Sequence, residues 1–246
     1  MKDDLKNYLD NTKKPWGILF YKMVWEQLSL VKGMKVLDFG SGFGITANYL
    51  AKTNDVTAIE PNIDMLEIRE KENNYTQILG GIERLKEIEG EIFDVVVCHN
   101  VLEYADERED IIKEISRILK DKGKLSIVKH NHVGRIMQKV VFENNIDEAL
   151  MLLDGGDIEV MSFGKVNYYH NDEILKWSRY FNLEKVYGVR TFWALQQDNE
   201  IKTELSWQEK MFEVEMRVCE IEEYKNISFF NHVILTKDLN NIDGCM

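Results

Sequence analysis

The chain of 246 residues predicts an α/β fold: a mostly parallel seven-stranded sheet covered by helices on both faces, with a helical insert after the fifth strand. Three observations predict it. Short apolar runs alternate with segments of helical period, the first run breaks into a cluster of glycines before a helix, and the alternation lapses over residues 131–170.

Residues 16–30 carry Ile18, Leu19, Met23, Val24, Leu28 and Leu30 at helical spacing and stop at Lys32 and Gly33, which predicts a leading helix. Residues 35–39 read as a buried strand, and residues 45–52 as the helix after its glycine turn. A second strand, 56–59, ends at Glu60, and the helix after it begins near Asn62 and carries Ile63, Met65, Leu66 and Ile68. Residues 77–79, 93–98 and 124–128 supply strands three to five, and 107–119 form an amphipathic helix closed by Asp121, Lys122 and Gly123. This rhythm implies right-handed crossovers and ligands at the carboxyl ends of the strands. Residues 131–170 read as helices and loops without a strand, an insert over the site. Residues 171–181 then give a helix, 183–189 a strand, 200–224 one long acidic helix and 229–236 a final strand. Nine acidic residues from Asp198 to Glu223, against three basic ones, read as a solvated helix face.

The hydrophobic fraction of 44% suits one domain, 1–246, divided into an N-terminal helical cap (1–30), a ligand-binding half (31–130), the insert (131–170) and the C-terminal strands with the acidic helix (171–246). A net charge of −12 argues against general attraction to nucleic acid or anionic membrane. The basic cluster Lys122, Lys124, Lys129, Arg135 and Lys139, with His130 and His132 interleaved, is either a phosphate-contacting patch or ordinary solvated surface. Cys98, Cys219 and Cys245 are an odd number at wide spacing, read as reduced thiols of a cytoplasmic protein. Charges at the start of the chain oppose a signal peptide, and no apolar run approaches the length of a membrane span.

In the turn from Asp38 to Gly44, Gly40 and Gly42 with Ser41 between them let the backbone approach a ligand closely. Ile45 stands where a dinucleotide fingerprint would carry its third glycine. Asp38 would sit poorly beside a pyrophosphate and suits a cationic ligand. Glu60, followed by Pro61, ends the second strand where a carboxylate accepts hydrogen bonds from ribose hydroxyls. No metal-ligand spacing and no nucleophile paired with a base is evident.

These motifs resemble the class I S-adenosylmethionine-dependent methyltransferases, type 11-like, whose fold is Rossmann-like. The glycine motif is matched by Val36 to Gly44 and the acidic motif by Glu60, and the adenine-contacting turn resembles Gly80, Gly81, Ile82 and Glu83. The family often has Asp where this chain has Gly81, so the resemblance implies a backbone N–H at Ile82 as the adenine contact. The segment from Cys98 to Tyr104 resembles the stretch lining cofactor and substrate, which makes His99 and Asn100 implied cofactor residues and Tyr104 a substrate residue. The implied cofactor is S-adenosylmethionine, with S-adenosylhomocysteine as product.

His99 to Tyr104, Asn131 to Met137, Gly188 to Phe192 and Asn231 to Lys237 are similar to the bacterial tRNA 5-carboxymethoxyuridine methyltransferases and their relatives. That likeness implies Asn131 and Arg190 as substrate residues, the guanidinium facing a carboxylate. The chain departs from those relatives at Phe20, where they carry a cofactor-contacting Arg, and Lys14 or Lys22 would have to replace it.

A carboxylate acceptor is already ionised at neutral pH and needs no general base. An alcohol or amine would need one, and His99, His130, His132 and His170 are the places to look. Three readings follow: methyl transfer to a small molecule or modified nucleoside, methylation of a tRNA wobble carboxylate, and a protein that binds the cofactor without transferring it. Oligomeric state is open. An arginine-lined cavity would favour a carboxylate acceptor, and an aromatic, acid-poor one a neutral acceptor.

Overall fold

The apolar runs become central strands because β-branched residues buried on both faces suit a sheet covered by helices. The computed structural model describes residues 3–156, 159–160 and 164–244. Helices α1 (Asp3–Lys13) and α2 (Pro15–Gln27) precede β1 (Lys35–Phe39), α3 (Ile45–Leu50), β2 (Asp55–Glu60) and α4 (Ile63–Glu67). Then come β3 (Thr76–Leu79), α5 (Ile82–Glu87), β4 (Phe93–His99), α6 (Arg108–Ile118) and β5 (Leu119–His130). Helices α7 (His132–Met137) and α8 (Ile146–Leu153), strands β6 (Glu159–Val160) and β7 (Gly164–Lys165) and helix α9 (Asn171–Trp177) follow. The described chain continues with β8 (Phe181–Val189), α10 (Leu205–Val218), α11 (Glu222–Lys225) and β9 (Phe230–Lys237).

Seven strands form one sheet in the order β3-β2-β1-β4-β5-β9-β8. The pairs β1–β2, β1–β4, β2–β3 and β4–β5 are parallel, with Leu37 opposite both Thr57 and Val96. Strand order therefore reverses between β1 and β4, and in such sheets ligands bind at the carboxyl ends beside the reversal. Packing divides the chain into two compact units.

The first unit comprises Ser29–Val128, Tyr169–Lys185 and Val233–Met246. Val36, Leu37, Val56, Ala58, Ile59 and Val95 to Val97 are buried in its strands, and Ile111, Ile112, Ile115 and Ile118 form the buried stripe of α6. The Arg117 guanidinium closes the end of α5 by donating to the Leu85 and Ile88 carbonyls, each at 2.8 Å. The second unit comprises Met1–Leu28, Lys129–Tyr168 and Val186–His232. Its α2 buries Leu19, Phe20, Met23 and Val24, and it begins at Pro15, whose missing N–H costs nothing in a first turn.

Five expectations change. The 107–119 helix ends at Ile118, and Leu119 already pairs with Phe93; a register shift between Phe93 and Val95 takes up the polar residues expected to form a turn, with Lys122 at φ +61°. The long acidic helix divides into α10 and α11, with no proline or glycine between them to reveal the break. The insert, expected to lack strands, contains the antiparallel pair β6–β7. Helix α1 precedes the predicted leading helix, and the 171–181 helix stops at Trp177. Cys98 and Cys219 are buried free thiols, while Cys245 lies outside the described residues. Among the described residues no helix is long and apolar enough to cross a membrane.

Candidate functional site

At the reversal point, the turn after β1 holds Gly40, Gly42 and Gly44 at φ +76°, +54° and +70°, conformations that side-chain-bearing residues rarely adopt. A Cβ on Gly40 would stand 2.3 Å from Val101 Cγ2, so the turn after β1 and the turn after β4 touch through a glycine. At Gly42 an added Cβ would find nothing nearer than Met65 Sδ at 3.9 Å, so this part of the turn faces open space.

Glu60 holds this turn. Its Oε2 accepts from the Gly42 N–H and its Oε1 from the Asn62 N–H, each at 2.8 Å. Burial pushes its carboxyl up, and the two N–H groups partly offset that. Two bonds leave further acceptor capacity on a carboxylate, so the expected ribose role is compatible with this geometry. Asp38 is 3% exposed. Burial and, next, the charge of Glu60 push its carboxyl up to about 7, against a hydrogen bond from the Ala47 N–H in the first turn of α3. Pro61, directly after Glu60, is exposed.

The turn after β4 supplies the opposite side. Asn100 sits at φ +52°, and its N–H donates to the Val128 carbonyl at 2.8 Å. The half-buried His99 places Nε2 2.8 Å from Ser126 Oγ, a partner on β5 that the sequence did not reveal. Tyr104 ends a short 3₁₀ turn, Leu102–Tyr104, and is half-buried. Gly81 donates its N–H to Glu83 Oε1 at 2.8 Å, and Ile82 opens α5, where a backbone N–H has no acceptor within the helix.

Three buried oxygens in this cluster lack a hydrogen-bond partner among the described residues: Asp38 Oδ2, Ser41 Oγ and Asn100 Oδ1. Orphaned buried polar atoms around a strained glycine turn are what a polar ligand would satisfy. Asn100 Oδ1 only accepts, and Asp38 Oδ2 only accepts once its carboxyl is ionised, which a cation beside it favours. A ligand carrying positive charge and hydroxyl groups fits this donor-poor set.

Asn131 and Arg190, expected at the substrate, belong to the second unit. The Asn131 side chain caps α7 by accepting from the Val133 N–H at 3.3 Å and donates to the Asn226 and Ser228 carbonyls at 2.9 and 2.8 Å. Its amide is thus engaged with backbone. Arg190 stands at φ +61° after β8, with its guanidinium 5.2 Å from the Phe229 ring centre and Nε buried without a partner among the described residues. Phe20 packs edge-on against Phe230 at 5.0 Å, whereas Lys14 and Lys22 are exposed.

Glu215 corrects the reading of the acidic helix as a solvated face: it is fully buried. Its carboxylate accepts the Thr191, Phe192 and Trp193 N–H groups at 2.7, 2.9 and 2.8 Å. The basic cluster is largely neutralised. Lys122 pairs with Asp238 at 2.6 Å, Lys124 with Glu184, and Lys139 with Glu143 and Glu148. His130 is half-buried, and desolvation, reinforced by Arg135 and Arg190, pushes its ring down to about 3, which leaves it neutral at neutral pH.

Residues 37–127 match the family model described as a methyltransferase domain. Ubiquinone biosynthesis O-methyltransferases are similar to the chain: the mitochondrial one of Schizosaccharomyces pombe is 27% identical over 51% of the chain and 49% of its own length. The one of Actinobacillus pleuropneumoniae is 27% identical over 61% of the chain and 66% of its own length. The chain thus spans about half to just under two thirds of these curated relatives. An S-adenosylmethionine-dependent methyltransferase of Thermotoga maritima superposes with a TM-score of 0.61 at 18% identity, over 97% of this chain and all of that one. The fold is that of the class I methyltransferases, and the domain match implies S-adenosylmethionine as its cofactor.

Proposed function

We propose that the chain is an S-adenosylmethionine-dependent methyltransferase acting on a small molecule or modified nucleoside. The observation that carries this is the set of orphaned oxygens on Asp38, Ser41 and Asn100 around the turn held by Glu60. Asp38 and Asn100 would receive the cationic methionine portion, Gly40, Ser41 and Gly42 would let it approach, and Glu60 would accept the ribose hydroxyls beside Pro61. Gly81 and the Ile82 N–H would border the adenine, with His99 lining the cofactor and Tyr104 facing the acceptor. The cofactor supplies an activated methyl on a sulfonium, so the chain's task is to orient an acceptor and exclude water.

Two of the curated relatives are named O-methyltransferases and another an N-methyltransferase, so their names support a small oxygen or nitrogen acceptor without choosing between them. A tRNA acceptor is less favoured, because the lysines that could have met phosphates are paired with carboxylates. Cys98 and Cys219, buried and in no disulfide among the described residues, support a reducing, cytoplasmic setting. The whole chain is proposed to act as one methyltransferase domain, with residues 131–170 as its substrate insert. Calorimetry with S-adenosylmethionine and S-adenosylhomocysteine tests the cofactor, and absence of binding by both would sink the proposal. Release of S-adenosylhomocysteine against a panel of small hydroxylated and carboxylated acceptors tests the transfer.

A further inference from the structure

The second unit contains a cavity of about 530 Å³ whose walls include Trp16, Phe142, Trp193 and Phe229, together with Arg190 and Lys202. This is the size of a small-molecule site. None of its lining residues is acidic, in a chain whose net charge is −12.

Both cations are held against aromatic faces. Lys202 Nζ lies 4.3 Å from the Phe142 ring centre and 3.3 Å from Asn199 Oδ1, and the Arg190 guanidinium lies over Phe229. Among the described residues neither pairs with a carboxylate within 4.0 Å, and Arg190 Nε is buried without any partner. Two like charges in one apolar cavity raise each other's cost. Burial pushes Lys202 down to about 8, the charge of Arg190 adds to that, and Asp198 opposes it.

The arrangement is also maintained against strain. Arg190 occupies a left-handed backbone conformation, φ +61°, that non-glycine residues rarely adopt. The buried Glu215 carboxylate, by gathering the next three N–H groups, fixes the chain directly after it and so aims both Arg190 and Trp193. Glu215 is a positioning residue, since its oxygens are engaged with backbone.

We propose that this cavity binds a small aromatic carboxylate, its carboxylate group between Arg190 and Lys202 and its ring against Trp16, Trp193 and Phe229. A carboxylate matches the guanidinium edge that carries the orphaned Nε, and a flat ring matches aromatic walls. A phosphate dianion would ask for more donors than these two cations and the few amides around them provide. The inference concerns only residues of the second unit and stands independently of the cofactor reading.

The test is calorimetry of the full chain with 2-naphthoate, its neutral isostere 2-naphthamide, and acetate, each with and without saturating S-adenosylhomocysteine. Expected are saturable binding of 2-naphthoate, at least tenfold weaker binding of 2-naphthamide, and none of acetate. Lys202→Gln should lose at least tenfold in naphthoate affinity and nothing in naphthamide affinity, with Lys202→Arg restoring most of the loss. Thermal melting of each variant establishes that it is folded. Failure of 2-naphthoate to bind under either condition, equal affinity for the amide, or an unchanged Lys202→Gln would overturn the proposal. Loss of S-adenosylhomocysteine binding alone would leave it standing and count against the methyltransferase reading.

Discussion

The Gly42 N–H donates to Glu60 Oε2 at 2.8 Å, so the acid at the end of β2 holds the glycine turn at the end of β1. On the proposed reading, ligand contact and loop geometry reside in one side chain. Glu60→Ala would release both Gly42 and Asn62 and remove the ribose acceptor. Affinity for S-adenosylhomocysteine is expected to fall by about 1–3 kcal/mol, with a loss of folding stability of similar size. Calorimetry and denaturant melts measure the two effects separately. A stability loss with unchanged affinity would assign Glu60 to the turn alone.

Two glycines with nearly the same backbone separate strain from close approach. Gly33, at φ +67°, has nothing within 4 Å of an added Cβ, whereas Gly40, at φ +76°, would place one 2.3 Å from Val101 Cγ2. Gly33→Ala should cost only the left-handed penalty of about 1–2 kcal/mol. Gly40→Ala should melt lower still and lose cofactor affinity at least tenfold. Equal melting temperatures would show that the β1 and β4 turns part without cost.

On the proposed reading, Asp38 is expected to make cofactor binding depend on pH near neutrality. Its folded value of about 7 lies above the ordinary 3.8, so the stability it contributes is complete below 3.8 and lost as pH rises through about 7. A cation bound beside it favours the ionised form, so affinity for S-adenosylmethionine should rise between pH 6 and 8 with proton release. Calorimetry in buffers of different ionisation enthalpy counts those protons. Asp38→Asn is expected to abolish that pH dependence, weaken cofactor binding, and make the ligand-free protein more stable at pH 8.

The first half of the fold was legible because strands β1, β2 and β4 are apolar runs punctuated by glycines and acids, a pattern set by local chemistry. The same local chemistry brought Asp38, Ser41, Glu60 and Asn100 together as expected. What could not be read depends on contacts distant in sequence. Leu119 joins β5 because Phe93 pairs with it, although the residues that follow it are polar. Glu215 looked like any other acid on a helix, and its role follows from three N–H groups 22 to 24 residues away. Lys202 was counted among ordinary charges for the same reason, since the aromatic wall beside it comes from Phe142.

His232 is buried and His130 half-buried, and desolvation drives each ring down to about 3. An unfolded histidine takes up a proton near 6.5, so the unfolded chain binds more protons than the folded one between about 6.5 and 3. Stability should therefore fall as pH drops through that window. His232 contacts Gln27 through Nδ1 at 2.7 Å, so His232→Gln should lower stability at pH 8 and flatten the decline below 6.5. Urea midpoints measured from pH 8 to pH 4 would reveal both effects.

Glu215→Gln provides the sharpest test of how the second unit sets its cavity. The amide oxygen can still accept the Phe192 and Trp193 N–H groups that Oε1 now receives, but an NH₂ in place of Oε2 faces the Thr191 N–H as a second donor. The loss of one charged hydrogen bond, with a buried N–H left unpaired, should cost about 2–3 kcal/mol of stability. Because Thr191 directly follows Arg190, the guanidinium should also lose its fixed aim. Naphthoate affinity is then expected to fall several-fold while naphthamide affinity holds. An equal fall for both probes would mean that Glu215 supports the aromatic walls rather than the cation.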